Sequence, residues 1–298
     1  MNAVTIFSPA KINLFLAVTG RRADGFHDLL SVAAPLAWGD SLKAERADTG
    51  NIGKPFALAC NDPAVPTDEG NLVLRAARGF AQAARSVGGA KFTLDKRIPM
   101  GAGLGGGSSN AVAALRALNA LAERPLDAGT LEGLAAAIGS DCALFLPGGP
   151  VAMRGRGERI VALPARAASR LSGRSVLIFK PGFAISTPWA YARLAAEQAY
   201  LPAEEAEARL SAWVEGEAPA EDLLFNSMEK VAFAKFPALP MLLERLRSRF
   251  GLVARMSGSG SGCFALLPDH NPPILEALVA EIRGAWGPGA LAIKTELA

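Results

Sequence analysis

Short runs in which apolar and polar residues alternate open the chain, at residues 4–7, 12–18, 29–36 and 41–46. A period of two predicts β-strands, with Asp24-Gly25 and Gly39-Asp40 as the turns that separate them. The period then lengthens to three and four. That predicts a helix over 71–87, a strand over 91–96, helices over 108–122 and 126–138, and strands at 151–153 and 159–163. Six arginines (Arg154, Arg156, Arg159, Arg166, Arg170 and Arg174) stand in a stretch with little periodicity beyond Leu163, which reads as a solvated connector. Beyond it, 175–180 reads as a buried strand, and helices are expected near 188–199, 204–214, 226–234 and 238–250. The chain closes with strand 252–256, a Gly-Ser turn, strand 263–267, helix 273–285 and strand 291–296. The whole predicts an α+β protein of two domains, 1–165 and 166–298: an N-terminal α/β domain and a C-terminal domain of helices on an antiparallel sheet.

Composition narrows this picture. Half of the 298 residues are hydrophobic and a fifth are charged, as in a globular protein rather than a disordered one. A net charge of +3 with no basic run among aromatics argues against a nucleic-acid partner. No apolar run approaches the roughly 20 residues that span a bilayer, and no signal-type segment opens the chain, so no membrane partner and a cytoplasmic location are expected. Cys60, Cys142 and Cys263 are far apart and read as free thiols. His27 and His270 are the only histidines, which disfavours a histidine-rich metal site.

The chemistry concentrates at Pro99-Met100-Gly101-Ala102-Gly103-Leu104-Gly105-Gly106-Gly107-Ser108-Ser109, where five of eleven residues are glycine. Without Cβ atoms, such a run lets backbone N–H groups converge on an anion. A helix follows directly, with Ser108 or Ser109 as its expected N-cap, so the positive end of the helix dipole faces whatever the loop holds. The stretch reads as a phosphate cradle; a purely structural turn rarely needs so many glycines. It is no Walker A loop, since no lysine stands inside it. Gly101-x-Gly103-x-x-Gly106 lies too far along the chain, and before the wrong elements, for a dinucleotide-binding unit. Protein-kinase and nucleophile-elbow motifs are absent.

Three further stretches stand out. Lys11 and Asn13 alternate with Ile12 and Leu14 and share one face of a strand; periodicity alone fits a solvent-facing pair. Asp141 follows a helix end in an apolar stretch, where a carboxylate needs a partner or serves as a cap. Ser257-Gly258-Ser259-Gly260-Ser261-Gly262 reads as a hairpin that is flexible by itself, or as a second glycine loop packed beside the first.

Taken in order, Pro9-Ala10-Lys11-Ile12-Asn13, the 99–109 loop and Met256-Ser257-Gly258-Ser259-Gly260 resemble the three motifs of the GHMP small-molecule kinases, over nearly the whole chain. The stretches 20–27, 70–77 and 95–101 resemble the branch of that family whose acceptor is a cytidyl diphosphate. The resemblance implies a two-domain GHMP kinase-like fold and transfer of the ATP γ-phosphate to the 2-hydroxyl of an erythritol moiety, with Mg²⁺. By resemblance Asp141 is the general base and Lys11 its charge partner. The 99–109 loop, Lys96 and Asn110 lie at the nucleotide. Phe26 and Tyr191 sandwich the cytosine, His27 reads its edge, and Asn13 and Thr187 serve the sugar and erythritol hydroxyls. Phe26 stands where the family often has tyrosine, and Cys142-Ala143 where it often has Val-Pro. The metal ligands are left open by the sequence, and so is the choice between monomer and homodimer. Another GHMP kinase, a non-catalytic nucleotide sensor and a dehydrogenase are the competing readings; Gly25-Phe26-His27 disfavours the first, and Lys11 with Asp141 the second.

Overall fold

A computed structural model describes residues 2–47, 55–85, 88–268 and 275–298. Its strands are β1 (Ala3–Arg21), β2 (His27–Ala47), β3 (Phe56–Cys60), β4 (Gly89–Asp95), β5 (Val151–Gly155), β6 (Arg159–Ala162), β7 (Ser175–Lys180), β8 (Phe225–Asn226), β9 (Ala254–Met256), β10 (Cys263–Leu266) and β11 (Leu291–Glu296). The helices are α1 (Leu72–Ala84), α2 (Gly106–Leu121), α3 (Ala128–Ile138), α4 (Ala165–Ser169), α5 (Thr187–Ala196), α6 (Ala203–Glu215), α7 (Met228–Lys235), α8 (Ala238–Phe250) and α9 (Leu275–Trp286). Two compact units result. One comprises Met1–Ala10, Trp38–Met100 and Gly105–Leu146; the other comprises Lys11–Ala37, Gly101–Leu104 and Pro147–Ala298. The units interleave along the chain because β1, β2 and the glycine loop each contribute to both.

In the first unit, the second half of β2 pairs antiparallel with β4 (Ser41 opposite Asp95), and β3 pairs parallel with β4. Helix α1 packs on α2 and α3. It turns Val73, Leu74, Ala76, Ala77 and Phe80 inward, and begins where the Asn71 side chain accepts the Val73 N–H at 2.9 Å. The helix expected over 71–87 ends earlier, at a left-handed Arg85; Val87 lies outside the described residues.

The second unit holds the β1–β2 hairpin, closed by the Arg22 N–H on the Phe26 carbonyl at 2.8 Å. There β2 pairs with β5, β5 with β6, and β1 with β8. A separate four-stranded antiparallel sheet runs in the order β11-β7-β10-β9, as the end of the sequence predicts. Its core joins Leu177, Phe179, Met256 and Ala265 to Leu194, Val231, Leu242, Leu246 and Ile282 from the helices. The start expected for the last helix, Pro273, lies outside the described residues, as does His270.

Several expectations fail for identifiable reasons. The four opening strands are two long ones, and Gly39-Asp40 is extended strand rather than turn. Glycine is required at 39 because a Cβ there would run into the Ser8 carbonyl oxygen of β1. Strand β3 is not among the expected elements, and Asn226 ends β8 instead of starting a helix. The six-arginine stretch contains α4 and is largely paired. Arg154 grips Glu207 at 2.8 Å, Arg166 meets Glu217, Arg174 meets Glu221, and Arg170 lies over the Trp213 ring.

Candidate active site

The glycine loop is divided between the two units. Its middle, residues 101–104, is bound within the second unit to the Ser257–Gly262 turn. Ser257 Oγ donates to the Gly103 carbonyl at 2.9 Å, and the Gly262 N–H donates to the Ala102 carbonyl at 3.0 Å. Gly103 has φ +72°, and a Cβ there would collide with the Ser257 carbonyl oxygen, so the two glycine loops meet backbone to backbone. The turn is therefore no flexible hairpin. Ser257 and Ser261 are fully buried, and Asn226 Nδ2 clamps it by donating to the carbonyls of Met256 (2.7 Å) and Gly258 (2.9 Å). On α7, Glu229 accepts the Met256 N–H at 2.8 Å, and burial pushes its carboxyl up to about 7.

The end of the loop belongs to the first unit. Helix α2 starts at Gly106, two residues before the serines expected to cap it. Its N-cap is Gly105, in left-handed conformation at φ +71°, and no side chain caps the helix. The expected serines stand inside the helix instead. Ser109, 1 % exposed, receives a hydrogen bond from Ser8 Oγ at 2.8 Å, and Ser108 is less buried. An uncapped helix start beginning on a left-handed glycine fits an anion such as a nucleotide phosphate.

Beside it lies a buried polar cluster that sequence reasoning missed. Asp40 accepts the Arg97 and Ile98 N–H groups (2.7 and 2.8 Å), Asn110 Nδ2 (2.8 Å) and the Lys96 ammonium. Lys96 Nζ sits 2.8 Å from where a Gly106 Cβ would stand. Lys96, Gly106, Ser109 and Asn110, all expected at the nucleotide, are thus one assembly. The missed signal was phase: Asp40 falls in step with Leu42 and Ala44 on the buried face of β2. Pro99 and the half-exposed Met100 lead into the loop from this side.

In the second unit Lys11 and Asn13 share a face of β1, as their alternation requires, but that face is buried and not solvated: they are 3 % and 6 % exposed. Lys11 Nζ donates to Asn13 Oδ1 at 2.5 Å, and Asn13 Nδ2 donates to Ser31 Oγ at 2.9 Å. The Lys11 N–H also holds the Leu104 carbonyl at 3.0 Å.

The hairpin tip exposes Phe26, with the Arg156 guanidinium 4.8 Å above its ring. Arg22 braces the tip by pairing with Asp24 and Asp28. His27 lies against Tyr191 (4.9 Å) and Tyr200 (6.0 Å); its Nε2 is buried with no hydrogen-bond partner, and burial with the Arg21 charge lowers its pKa. Tyr191 also packs on the core. Thr187, in the first turn of α5, shares a 2.7 Å hydrogen bond with Ser259.

Asp141 is half-buried on the turn after α3, one residue before the buried Cys142. Burial pushes the Cys142 thiol up to about 11, so it stays protonated beside that carboxylate.

A family model for the GHMP kinases N terminal domain matches residues 71–151, and one for the GHMP kinases C terminal domain matches 213–284. A 4-diphosphocytidyl-2-C-methyl-D-erythritol kinase of Synechococcus elongatus is 35% identical, with 96% of this chain and 92% of the relative covered. That of Prochlorococcus marinus (strain MIT 9313) is 39% identical over 89% of this chain and 85% of its own. The crystal structure of a 4-(cytidine 5'-diphospho)-2C-methyl-D-erythritol kinase superposes with a TM-score of 0.76 at 37% identity, covering 99% and 100% of the two chains. The Methanococcus jannaschii mevalonate kinase shares the fold at 15% identity, with a TM-score of 0.73 and 99% and 98% coverage. Among the described residues no helix is long and apolar enough to cross a membrane.

Proposed function

The chain belongs to the GHMP kinase family, whose members are small-molecule kinases using ATP, and from that premise we propose that it phosphorylates the 2-hydroxyl of 4-diphosphocytidyl-2-C-methyl-D-erythritol, a step of the non-mevalonate route to isoprenoid precursors. The observation that carries the reading is end-to-end similarity to enzymes of that name, at 35–39% identity. The two family models fall on either side of residue 165, in keeping with an ATP-binding domain over 1–165 and a C-terminal domain over 166–298.

Phosphoryl transfer is chiefly positioning and charge stabilisation. In this reading Asp141 accepts the proton of the tertiary alcohol, and Lys11 stabilises the alkoxide as it forms. The hydrogen bond from Lys11 to Asn13, on a buried strand, supports an ammonium held in one direction. The amides at the start of α2 receive the phosphates, with Lys96 and Asn110 at the nucleotide.

Mg²⁺ takes oxygen ligands, often only one or two from protein beside the phosphates. Of the two serines in the first turn of α2, Ser108 is the more open hydroxyl and suits it better, since Ser109 is buried against Ser8. When bound, the ion would neutralise charge on the transferring group.

At the acceptor, the exposed Phe26 ring offers a stacking platform, and the unpartnered His27 Nε2 a group for the cytosine edge. Tyr191 lies against His27 to close the base site, with Asn13 and Thr187 toward the sugar and erythritol hydroxyls. An acceptor panel with an ADP-release assay tests the reading: turnover is expected with the cytidyl diphosphate acceptor, and turnover with homoserine or mevalonate in its place would reject it. Phe26→Ala should raise the KM for that acceptor by the ~1–3 kcal/mol of a lost base stack while sparing ATP. An equal rise for both substrates would make Phe26 a packing residue.

A further inference from the structure

Asp40 is a fully committed carboxylate of the first unit, and no motif marks it as functional. It is 0 % exposed. Oδ1 accepts the Arg97 N–H at 2.7 Å and the Ile98 N–H at 2.8 Å, while Oδ2 accepts Asn110 Nδ2 at 2.8 Å and the Lys96 ammonium. A carboxylate offers about four lone-pair sites, and here each oxygen holds two donors. Asp40 therefore has no lone pair left for a ligand, and can act only through the groups it holds.

Those groups flank the glycine loop. Arg97 and Ile98 stand at its entrance, just before Pro99. Asn110 stands in the first turns of α2, and the Lys96 ammonium is packed against Gly106, the first residue of that helix. Ser8 extends the tie by accepting from Asn110 Nδ2 and donating to Ser109 Oγ, both at 2.8 Å. One buried side chain thus joins the residues before the loop to the helix start after it.

We infer that Asp40 is a positioning residue for nucleotide binding, setting the span of the glycine loop by fixing its entrance and exit to one carboxylate. The ammonium of Lys96 is neutralised by Asp40, so Lys96 contributes position more than net charge, and recognition of the phosphates falls to the helix-start amides. This rests on the kinase reading above.

The test is titration of the full-length protein with a non-hydrolysable ATP analogue and, separately, with the cytidyl diphosphate acceptor. Asp40→Asn keeps the shape but loses the charge that holds four donors. Its affinity for the analogue should fall on the order of 10- to 100-fold, the worth of a hydrogen bond to a charged group, with acceptor affinity unchanged. A folded variant that binds the analogue as tightly as wild type, or that loses both ligands together, overturns the proposal. Because Asp40→Asn leaves the Lys96 charge buried and unpaired, the double variant Asp40→Asn/Lys96→Met is compared with Lys96→Met alone if the single one does not fold; a further loss confined to the analogue is expected, and equal affinity of the two overturns the proposal. Hydrogen exchange on the wild type needs no variant: the Arg97 and Ile98 amides should be protected before nucleotide is added, and exchange at the rate of open loop amides would sink the anchor. Failure of the wild type itself to bind the analogue would instead reject the kinase reading.

Discussion

The three α-helices described in the first unit begin in two different ways. At α1 the Asn71 side chain accepts the Val73 N–H, and at α3 Asp127 accepts the Thr130 N–H at 2.7 Å. At α2 the chain enters through a left-handed glycine, and no side chain takes the first amides. The first two are closed ends, each contributing local stability. The third has no side-chain cap, the kind of helix start that suits an anion. On the reading proposed above, comparable helices in one unit separate capping that serves the fold from an open end that would serve a ligand, and the open end is the one beside the Asp40, Lys96 and Asn110 cluster.

The largest expected effect probes chemistry apart from either kind of helix start. Asp141→Asn keeps the shape but cannot accept the alcohol proton, so kcat should fall by roughly 10²–10⁴ with ATP affinity unchanged. Lys11→Met should show a loss of the same kind, and the double variant should be little worse than the worse single one, since residues acting as a unit are not additive. Near wild-type turnover of Asp141→Asn in a steady-state assay would return Asp141 to a structural role, and losses that simply multiply would dissolve the pair.

Closing the open helix start is the next largest. Gly105→Val puts a branched side chain at φ +71° beside the free amides. ATP affinity should weaken by about 10- to 100-fold, the loss of one or two charge-assisted hydrogen bonds. Unchanged affinity by calorimetry would erase the distinction between α2 and its neighbours.

Opening a closed start should have the smallest effect, and on another quantity. Asn71→Ala and Asp127→Ala should each cost about 1 kcal/mol in denaturant unfolding, with KM for ATP unmoved. A cap variant that altered ATP binding as much as Gly105→Val would show that all three helix starts serve the same purpose.

The amino-acid sequence by itself determined the kinds of elements and the places where chemistry gathers. Periodicity located α8, β7 and β11 to the residue and brought α2 and α6 close, because an amphipathic face repeats within a few turns and needs no distant partner. Glycine density marked the 99–109 loop, since only a backbone that must approach something closely uses so many glycines. Motif order exposed the family. What the sequence did not show depends on what lies opposite a residue in space. Gly39-Asp40 has the composition of a turn, yet the Ser8 backbone across from it demands a glycine, and four donors from residues 96–110 demand the carboxylate. Lys11 and Asn13 alternate as a solvated pair would, and only the packed hairpin buries them. Ser108 and Ser109 look like caps until Gly105 starts the helix and Ser8 takes the Ser109 hydroxyl. A local pattern carries local periodicity; the partner of a buried polar group lies tens of residues away, and only the folded chain supplies it.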